Sequence, residues 1–306
     1  MKTAASQFLG LESKHTDFAR AAVVILPVPY EGGISFGKGA AQGPQAIIEA
    51  SRYLELYDEG LQAEPYRMGI ATVNAPILDS DPERVQKEIY RSSRALRQAG
   101  KFIVLLGGDH SISSGLARAL KEEGDPLAVL QLDAHADLRD TYEGSRWSHA
   151  CAMARLREIT PHTLQIGIRS MSAAEAALIQ EQQMPVCTMD AYRRRTFDLK
   201  AALDKLPDAV YLTLDVDVFD WSVVRSTGTP EPGGLLWDEA MDLLRLIFST
   251  KKVIGVDVVE LARNPHDINS PFAVAKLIYK MLGFKLAADV NRGLIEWPHQ
   301  PCGNLF

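Results

Sequence analysis

The stretch VLQLDAHADLRD, from Val129 to Asp140, runs an apolar segment straight into Asp133, His135 and Asp137, spaced two apart. A short, continuous apolar run suits a parallel strand covered on both faces. This one extends back to Leu127, and five further runs rich in β-branched residues read the same way: Ala21–Pro29, Phe102–Gly108, Thr163–Arg169, Ala209–Asp217 and Lys252–Glu260. Helical patterns lie between them. One opens with Asp81 as a cap and Pro82 behind it, then stops at Gly100. Others span Ser111–Gly124, Ser172–Gln183, Leu236–Thr250 and Ser270–Leu286, and one starts near Pro44. Alternating strand and helix predicts an α/β fold, a parallel sheet with helices on both faces.

Neither a Pro/Gly/Ser linker nor a solenoid repeat divides the chain. It reads as one domain over residues 1–306, with 1–20 as an N-terminal extension and 295–306 as a C-terminal tail. The glycine-rich segment after the first strand reads as a structured surface loop. Apolar residues make up 46% of the 306, enough for a large core. Against 39 acidic residues stand 33 basic ones, a net charge of −6 with no dense basic tract, which argues against nucleic acid as a partner. The longest basic run, Tyr192–Asp198, reads as a solvated face. Cys151, Cys187 and Cys302 are too few and too scattered for a disulfide framework or a thiolate zinc site. No signal-peptide core and no membrane-length apolar run is present, so a cytoplasmic location without membrane contact is expected.

Ligands of open parallel sheets bind beyond the carboxyl ends of the strands. Four predicted strand ends carry acid or imidazole groups here: Asp109 and His110; Asp133, His135 and Asp137; Asp215 and Asp217; Asp257 and Glu260. Carboxylates gathered on one edge repel each other unless cations lie among them. Asp-x-Asp on a strand sends both side chains to one face. His110, Asp133, His135, Asp137, Asp215 and Asp217 supply two imidazoles and four carboxylates, enough for two divalent ions with shared ligands. That oxygen and nitrogen mixture suits Mn²⁺, although Zn²⁺ and Fe²⁺ accept the same ligand types. Asp109 reads as a support for the loop and Asp257 as a structural or outer-layer residue. His15, His162, His266 and His299 have no visible partner and read as structural.

Three blocks now stand together: LLGGDHS (105–111), LDAHAD (132–137) with SHA at 148–150, and LTLDVDVFD (212–220) followed by GTPEPGGL (228–235). In these the sequence resembles the ureohydrolases, the family of agmatinases, arginases and related guanidino hydrolases, in the expected order from about Val24 to Leu282. PYEGG (29–33) and QIGIRS (165–170) lie closer to agmatinases than to arginases. The resemblance implies a three-layer α/β/α, arginase-like fold with a mostly parallel central sheet, two Mn²⁺ per subunit, and a homotrimer or homohexamer. It implies that His110, Asp133, Asp137 and Asp215 hold one ion. Asp133, His135, Asp215 and Asp217 hold the other, so that Asp133 and Asp215 bridge. It further implies that His149 shuttles protons and Glu260 grips the guanidinium.

A guanidinium is planar, delocalised and always ionised, so it is a poor electrophile. Metal ions lower the pKa of bound water from 15.7 to about 7 and so provide hydroxide near neutrality. The expected reaction is hydroxide attack on agmatine, giving urea and putrescine and feeding polyamine synthesis. Arginine, guanidinobutyrate or another amidine are alternative substrates, and a non-catalytic metal-binding homologue is the alternative of another class. Agmatine lacks the α-carboxylate of arginine but keeps a distal ammonium. Asp140 and Glu143 lie just past the metal block and are expected to form an acidic rim, with Glu143 as the substrate-binding candidate. Arg139 and Arg146 in the same segment argue instead for an acidic substrate.

Overall fold

The computed structural model describes residues 2–121 and 126–296. The expected helix end at Gly124 and most of the tail, with His299 and Cys302, lie outside the described residues. Eight strands are formed: β1 (Val23–Val28), β2 (Ile70–Thr72), β3 (Phe102–Gly107), β4 (Leu127–Leu132), β5 (Thr163–Ile168), β6 (Val186–Thr188), β7 (Ala209–Asp215) and β8 (Lys252–Val259). They make one sheet in the order β2-β1-β3-β8-β7-β4-β5-β6, and every pairing between neighbours is parallel. The six long apolar runs are all strands. The two that sequence reading missed, β2 and β6, are edge strands of three residues each, too short to show a pattern.

The described residues also form ten α-helices, the first before β1 and the rest between or after the strands: α1 (Ser13–Thr16), α2 (Gly43–Ser51), α3 (Pro82–Gln98), α4 (Ser113–Lys121), α5 (Ala152–Arg157), α6 (Ala173–Glu181), α7 (Met189–Arg193), α8 (Leu199–Asp204), α9 (Trp237–Thr250) and α10 (Asn269–Asn291). Asp81 caps α3 by accepting the Glu83 and Arg84 N–H groups. None of the described helices is long and apolar enough to cross a membrane.

The period of two along each strand divides the core in two. Val23 and Ile25 of β1, with Val104 and Leu106 of β3, pack under α2, α9 and α10. The intervening Val24, Leu26, Ile103 and Leu105 pack under α3, α4 and α5. Both faces are dry, which is why the strands are apolar throughout rather than alternating. The segment before β1 closes one edge: the Ala4 N–H donates to the Thr72 carbonyl, and Phe8 is completely buried.

Register decides where the strands let go. Leu130, Leu212, Val256, Val104 and Ile25 lie in one row across β4, β7, β8, β3 and β1. Two residues on, Leu132, Leu214, Val258 and Leu106 form another row. The chain leaves the sheet just beyond it, so the residues after these four adjacent strands emerge side by side.

Helix α10 is tied to the loop after α2 by a buried charge pair: Lys280 Nζ lies 3.1 Å from Asp58 Oδ1, and Asp58 is 1% exposed. Removing the cation strands a buried carboxylate, which costs about 3–5 kcal/mol. Lys280→Met alone should therefore lower stability by about 3 kcal/mol, read from the urea midpoint. Adding Asp58→Asn to it should recover part of the loss; no recovery would show that the lysine stem, not its charge, is what matters.

Candidate active site

Three loops leave the central strands and bring the six expected ligands together. His110 follows β3, Asp133, His135 and Asp137 follow β4, and Asp215 and Asp217 straddle the end of β7. His110 Nδ1 lies 3.0 Å from Asp133 Oδ2, 3.2 Å from Asp137 Oδ2 and 3.4 Å from Asp215 Oδ2. His135 Nδ1 lies 2.8 Å from Asp217 Oδ2 and 3.6 Å from Asp133 Oδ1. Two donor sets result, His110 with Asp133 and Asp137, and His135 with Asp133 and Asp217; within each the donor atoms lie within 4.8 Å of one another. Asp133 belongs to both.

These contacts are close, yet they are not hydrogen bonds. His110 Nδ1 and Asp217 Oδ2 are buried and have no partner in hydrogen-bonding geometry. Buried polar atoms are seldom left so. Oxygens converging on a nitrogen without a shared proton are what a small cation between them would satisfy, so the residues present fit a metal site. His110 is oriented for that from behind: its Nε2 meets Thr213 Oγ1 at 2.8 Å, and the Thr213 hydroxyl donates to Asp257 Oδ1 at 2.7 Å. With Nε2 as the donor, Nδ1 presents its lone pair to the cluster.

The electrostatics agree. Burial alone pulls the imidazoles down, but Asp133 and Asp217 raise His135 to about 12, and Asp133, Asp137 and Asp215 raise His110 well above its usual value. Burial pushes the Asp217 carboxyl up to about 6, with the Asp133 charge adding to it. Asp215 is pushed well above its ordinary range, first by burial and then by Asp217.

Beside the cluster, His149 is held at both ring nitrogens. Nδ1 lies 3.1 Å from Glu260 Oε1, and Nε2 lies 2.7 Å from Ser35 Oγ. Glu260 Oε1 also accepts the His110 N–H at 2.8 Å, while its Oε2 is buried with no hydrogen-bond partner. Burial works against protonation of His149, but the Glu260 hydrogen bond and charge outweigh it and raise the imidazole to about 9. Asp137 and Glu260 both adopt left-handed backbone conformations, with φ of 53° and 66°. Such strain costs of the order of 1–3 kcal/mol per residue and gathers at functional sites.

A cavity of about 280 Å³ opens onto this group, with His135, Asp137, His149 and Asp215 facing it and Ser35 and Tyr142 at its border. A larger hollow of 370 Å³ lies at the opposite edge of the sheet and carries none of these side chains. Glu143 stands in an exposed turn beside Tyr142, with φ of 49°, and does not border the cavity. Asp140 pairs with Arg155 and Arg146 with Glu158; neither borders it. Arg139 does, with its guanidinium 4.8 Å from the centre of the Tyr142 ring.

Several contributors escaped sequence reading. Thr213 stands two before Asp215 and so shares its strand face, a spacing that could have revealed it. Ser35 gave no signal in its loop. Arg169 donates to the backbone carbonyls of Asp217, Glu231 and Pro232 at 2.6, 2.8 and 3.0 Å, pinning the β7 exit to the GTPEPGG loop. Glu175 accepts the Leu138 N–H at 3.0 Å while also binding Ser172 at the start of α6, so it steadies the peptide after strained Asp137. Asp109, expected to order its loop, accepts the N–H groups of Gly33 and Ser111.

A parallel α/β sheet with paired acid–imidazole clusters at its carboxyl edge and a histidine–glutamate couple beside them defines a hydrolase of the ureohydrolase class. The profile of the Arginase family matches residues 21–283, and the chain belongs to that family. It is 40% identical to the N(1)-aminopropylagmatine ureohydrolase of Synechocystis sp. over 91% of this chain and 93% of that protein. It is 31% identical to the agmatinase of Pyrococcus horikoshii over 89% of this chain and 95% of that one. In fold it matches the agmatine ureohydrolase of Thermoplasma volcanium with a TM-score of 0.84 at 24% identity, covering 94% and 97% of the two chains. The protein is accordingly a hydrolase acting on amidino C–N bonds, most like the agmatinases and aminopropylagmatine ureohydrolases.

Metal ligation requires neutral imidazoles, so a cation entering here competes with protons for His110 and His135, which the facing carboxylates raise. Since both are raised, affinity for added Mn²⁺ should rise with pH through neutrality, and loading in dilute buffer should release about one or more protons per chain. An affinity indifferent to pH would contradict this. Thr213→Val, which cuts His110 from Asp257, should weaken metal binding about 10–100-fold, read from metal content at equilibrium.

Proposed function

We propose that the protein hydrolyses the guanidino group of agmatine, or of its N1-aminopropyl derivative, to urea and an amine. The observation carrying this is the pair of donor sets sharing Asp133, set beside the His149–Glu260 couple, with His135, Asp137 and His149 on one cavity. In this reading His110, Asp133, Asp137 and Asp215 hold one Mn²⁺, and Asp133, His135, Asp215 and Asp217 hold a second. Four carboxylates and two imidazoles without a thiolate suit that metal. The ions would supply hydroxide at neutral pH by lowering the pKa of bound water from 15.7 to about 7.

The chain's own groups do the rest. Glu260, through its unpartnered Oε2, accepts from the planar N–H fork of the guanidinium and orients it. His149 carries the proton that the departing amine nitrogen requires. The His149–Glu260 bond keeps the imidazole protonated at neutral pH, ready to donate. Glu143 does not line the cavity; in this proposal it acts on the distal ammonium from the exposed turn beside Tyr142, outside it. A trimer or hexamer in the cytoplasm, producing putrescine or the corresponding triamine, belongs to the same proposal on the family resemblance. The aminopropyl substrate is supported by the higher identity to the Synechocystis enzyme than to the Pyrococcus one.

The test supplies Mn²⁺-loaded protein separately with agmatine, N1-aminopropylagmatine, arginine and guanidinobutyrate, and measures urea. Release from one of the first two, with kcat/KM at least about tenfold above arginine, is expected; one tenfold step is about 1.4 kcal/mol of transition-state discrimination. No urea from any of the four would refute the proposal. Glu260→Gln should lower kcat about 10²-fold or more. Glu143→Gln should raise KM by no more than about fivefold, since an exposed charge pair is worth about 0.2–1 kcal/mol; an unchanged KM removes Glu143 from this role.

A further inference from the structure

His149 is 8% exposed, and its two nitrogens are both taken, Nδ1 by Glu260 and Nε2 by Ser35. The carboxylates that face it come from three strand ends: Glu260 after β8, Asp109 after β3 and Asp137 after β4. Glu260 is 1% and Asp109 0% exposed and neither borders the cavity, while Asp137 borders it as a member of the donor cluster. Ser35 differs: it is exposed, borders the cavity and meets His149 Nε2 at 2.7 Å.

Its position is not that of a loose surface serine. The loop is fastened on both sides of Ser35. Gly33 N–H donates to Asp109 Oδ2 at 2.7 Å, the His149 N–H donates to the Gly33 carbonyl at 2.9 Å, and the Gly37 N–H donates to the Gly228 carbonyl at 3.1 Å. Both glycines are required by close approach. A Cβ on Gly33 would stand 2.8 Å from the Trp147 carbonyl oxygen, and one on Gly37 would stand 2.6 Å from that of Gly228. Backbone contact with two walls of the site therefore fixes the hydroxyl over the imidazole.

We propose that the Ser35 hydroxyl is the port through which His149 exchanges protons with solvent, an inference that rests on the hydrolytic reading above. A guanidinium and a water become an alkylammonium and urea with no net proton. Within the cycle, however, the incoming water sheds one proton to solvent, and His149, protonated at rest, gives one to the departing amine nitrogen. His149 must then regain one from solvent, which keeps the sum at zero. To reset it, an outside water donates to Ser35 Oγ while the Ser35 O–H passes its proton to Nε2. A hydroxyl can do this because it donates and accepts at once.

Two variants of equal size separate this relay from mere packing. Ser35→Val removes the hydroxyl; Ser35→Thr keeps it. With Mn²⁺-loaded protein and the better of the two amine substrates in dilute buffer, Ser35→Val should lower kcat about tenfold or more with KM within about twofold, and concentrated imidazole should restore most of it. Ser35→Thr should show no dependence on imidazole. A Ser35→Val enzyme with wild-type kcat in dilute buffer, or one whose loss does not respond to imidazole, would overturn the relay alone. A wild type that releases no urea would overturn the relay together with the hydrolytic reading.

Discussion

Four carboxylates, Asp133, Asp137, Asp215 and Asp217, are buried within a few ångströms of each other at the ends of two neighbouring strands. Burial raises three of them, and only Asp133 is held low, by the imidazoles of His110 and His135 outweighing its desolvation. The parallel register leaves no escape, because β4 and β7 end level and their loops begin at adjacent points. Much of the surrounding structure answers this crowding. Gln131 donates to Asp133 Oδ2, the Ala134 N–H donates to Asp217 Oδ1, and the Asp217 N–H donates to Asp215 Oδ1. Those donors satisfy outer lone pairs and leave the inner ones turned to one another. A site built only for stability would have been replaced at little cost by apolar side chains of similar volume. Retaining the charges makes sense if cations complete them.

The loops that carry the ligands are held by backbone contacts more than by side chains. Arg169 gathers carbonyls from two stretches of the connection between β7 and α9, and Gly37 and Gly228 touch through their main chains. This matters for a reaction whose catalysis depends on placing hydroxide, guanidinium and proton donor within a fraction of an ångström. It also explains why Asp137 and Glu260 are among the residues held in left-handed conformations. Each is the point at which a rigid strand must turn a carboxylate inward, and each is fixed from outside, by Glu175 on the following peptide and by the Gly108 carbonyl on the Glu260 N–H.

How much of this was legible in the sequence follows from the range of the interactions. The long strands were readable because two dry faces impose continuous apolar runs, and the metal block was readable because its ligands lie two apart on strand exits. β2 and β6 were not, since three residues carry no period and their place depends on neighbours distant in the chain. Thr213 was half visible, through its spacing from Asp215, but its link from His110 to Asp257 spans three strands. Ser35 was invisible. Its neighbour His149 lies 114 positions away, and only the folding of a glycine loop onto two walls brings the two together.

The same reasoning locates where substrate choice is decided. At the cluster, chemistry leaves little freedom, because any guanidino compound presents the same planar cation. The mouth is different. Glu175 borders the cavity, but its carboxylate already accepts from Leu138 and from Ser172, so it has little to offer a substrate ammonium. Arg139 brings a positive charge, yet it lies over the Tyr142 ring with Glu175 3.8 Å from its Nε, which spreads and offsets that charge. An amine tail entering here competes with Arg139 for the ring face, and a carboxylate tail competes with Glu175 for the guanidinium. Arg139 over Tyr142, two residues past Asp137, is thus the charged contact at the mouth that a substrate tail of either sign would meet.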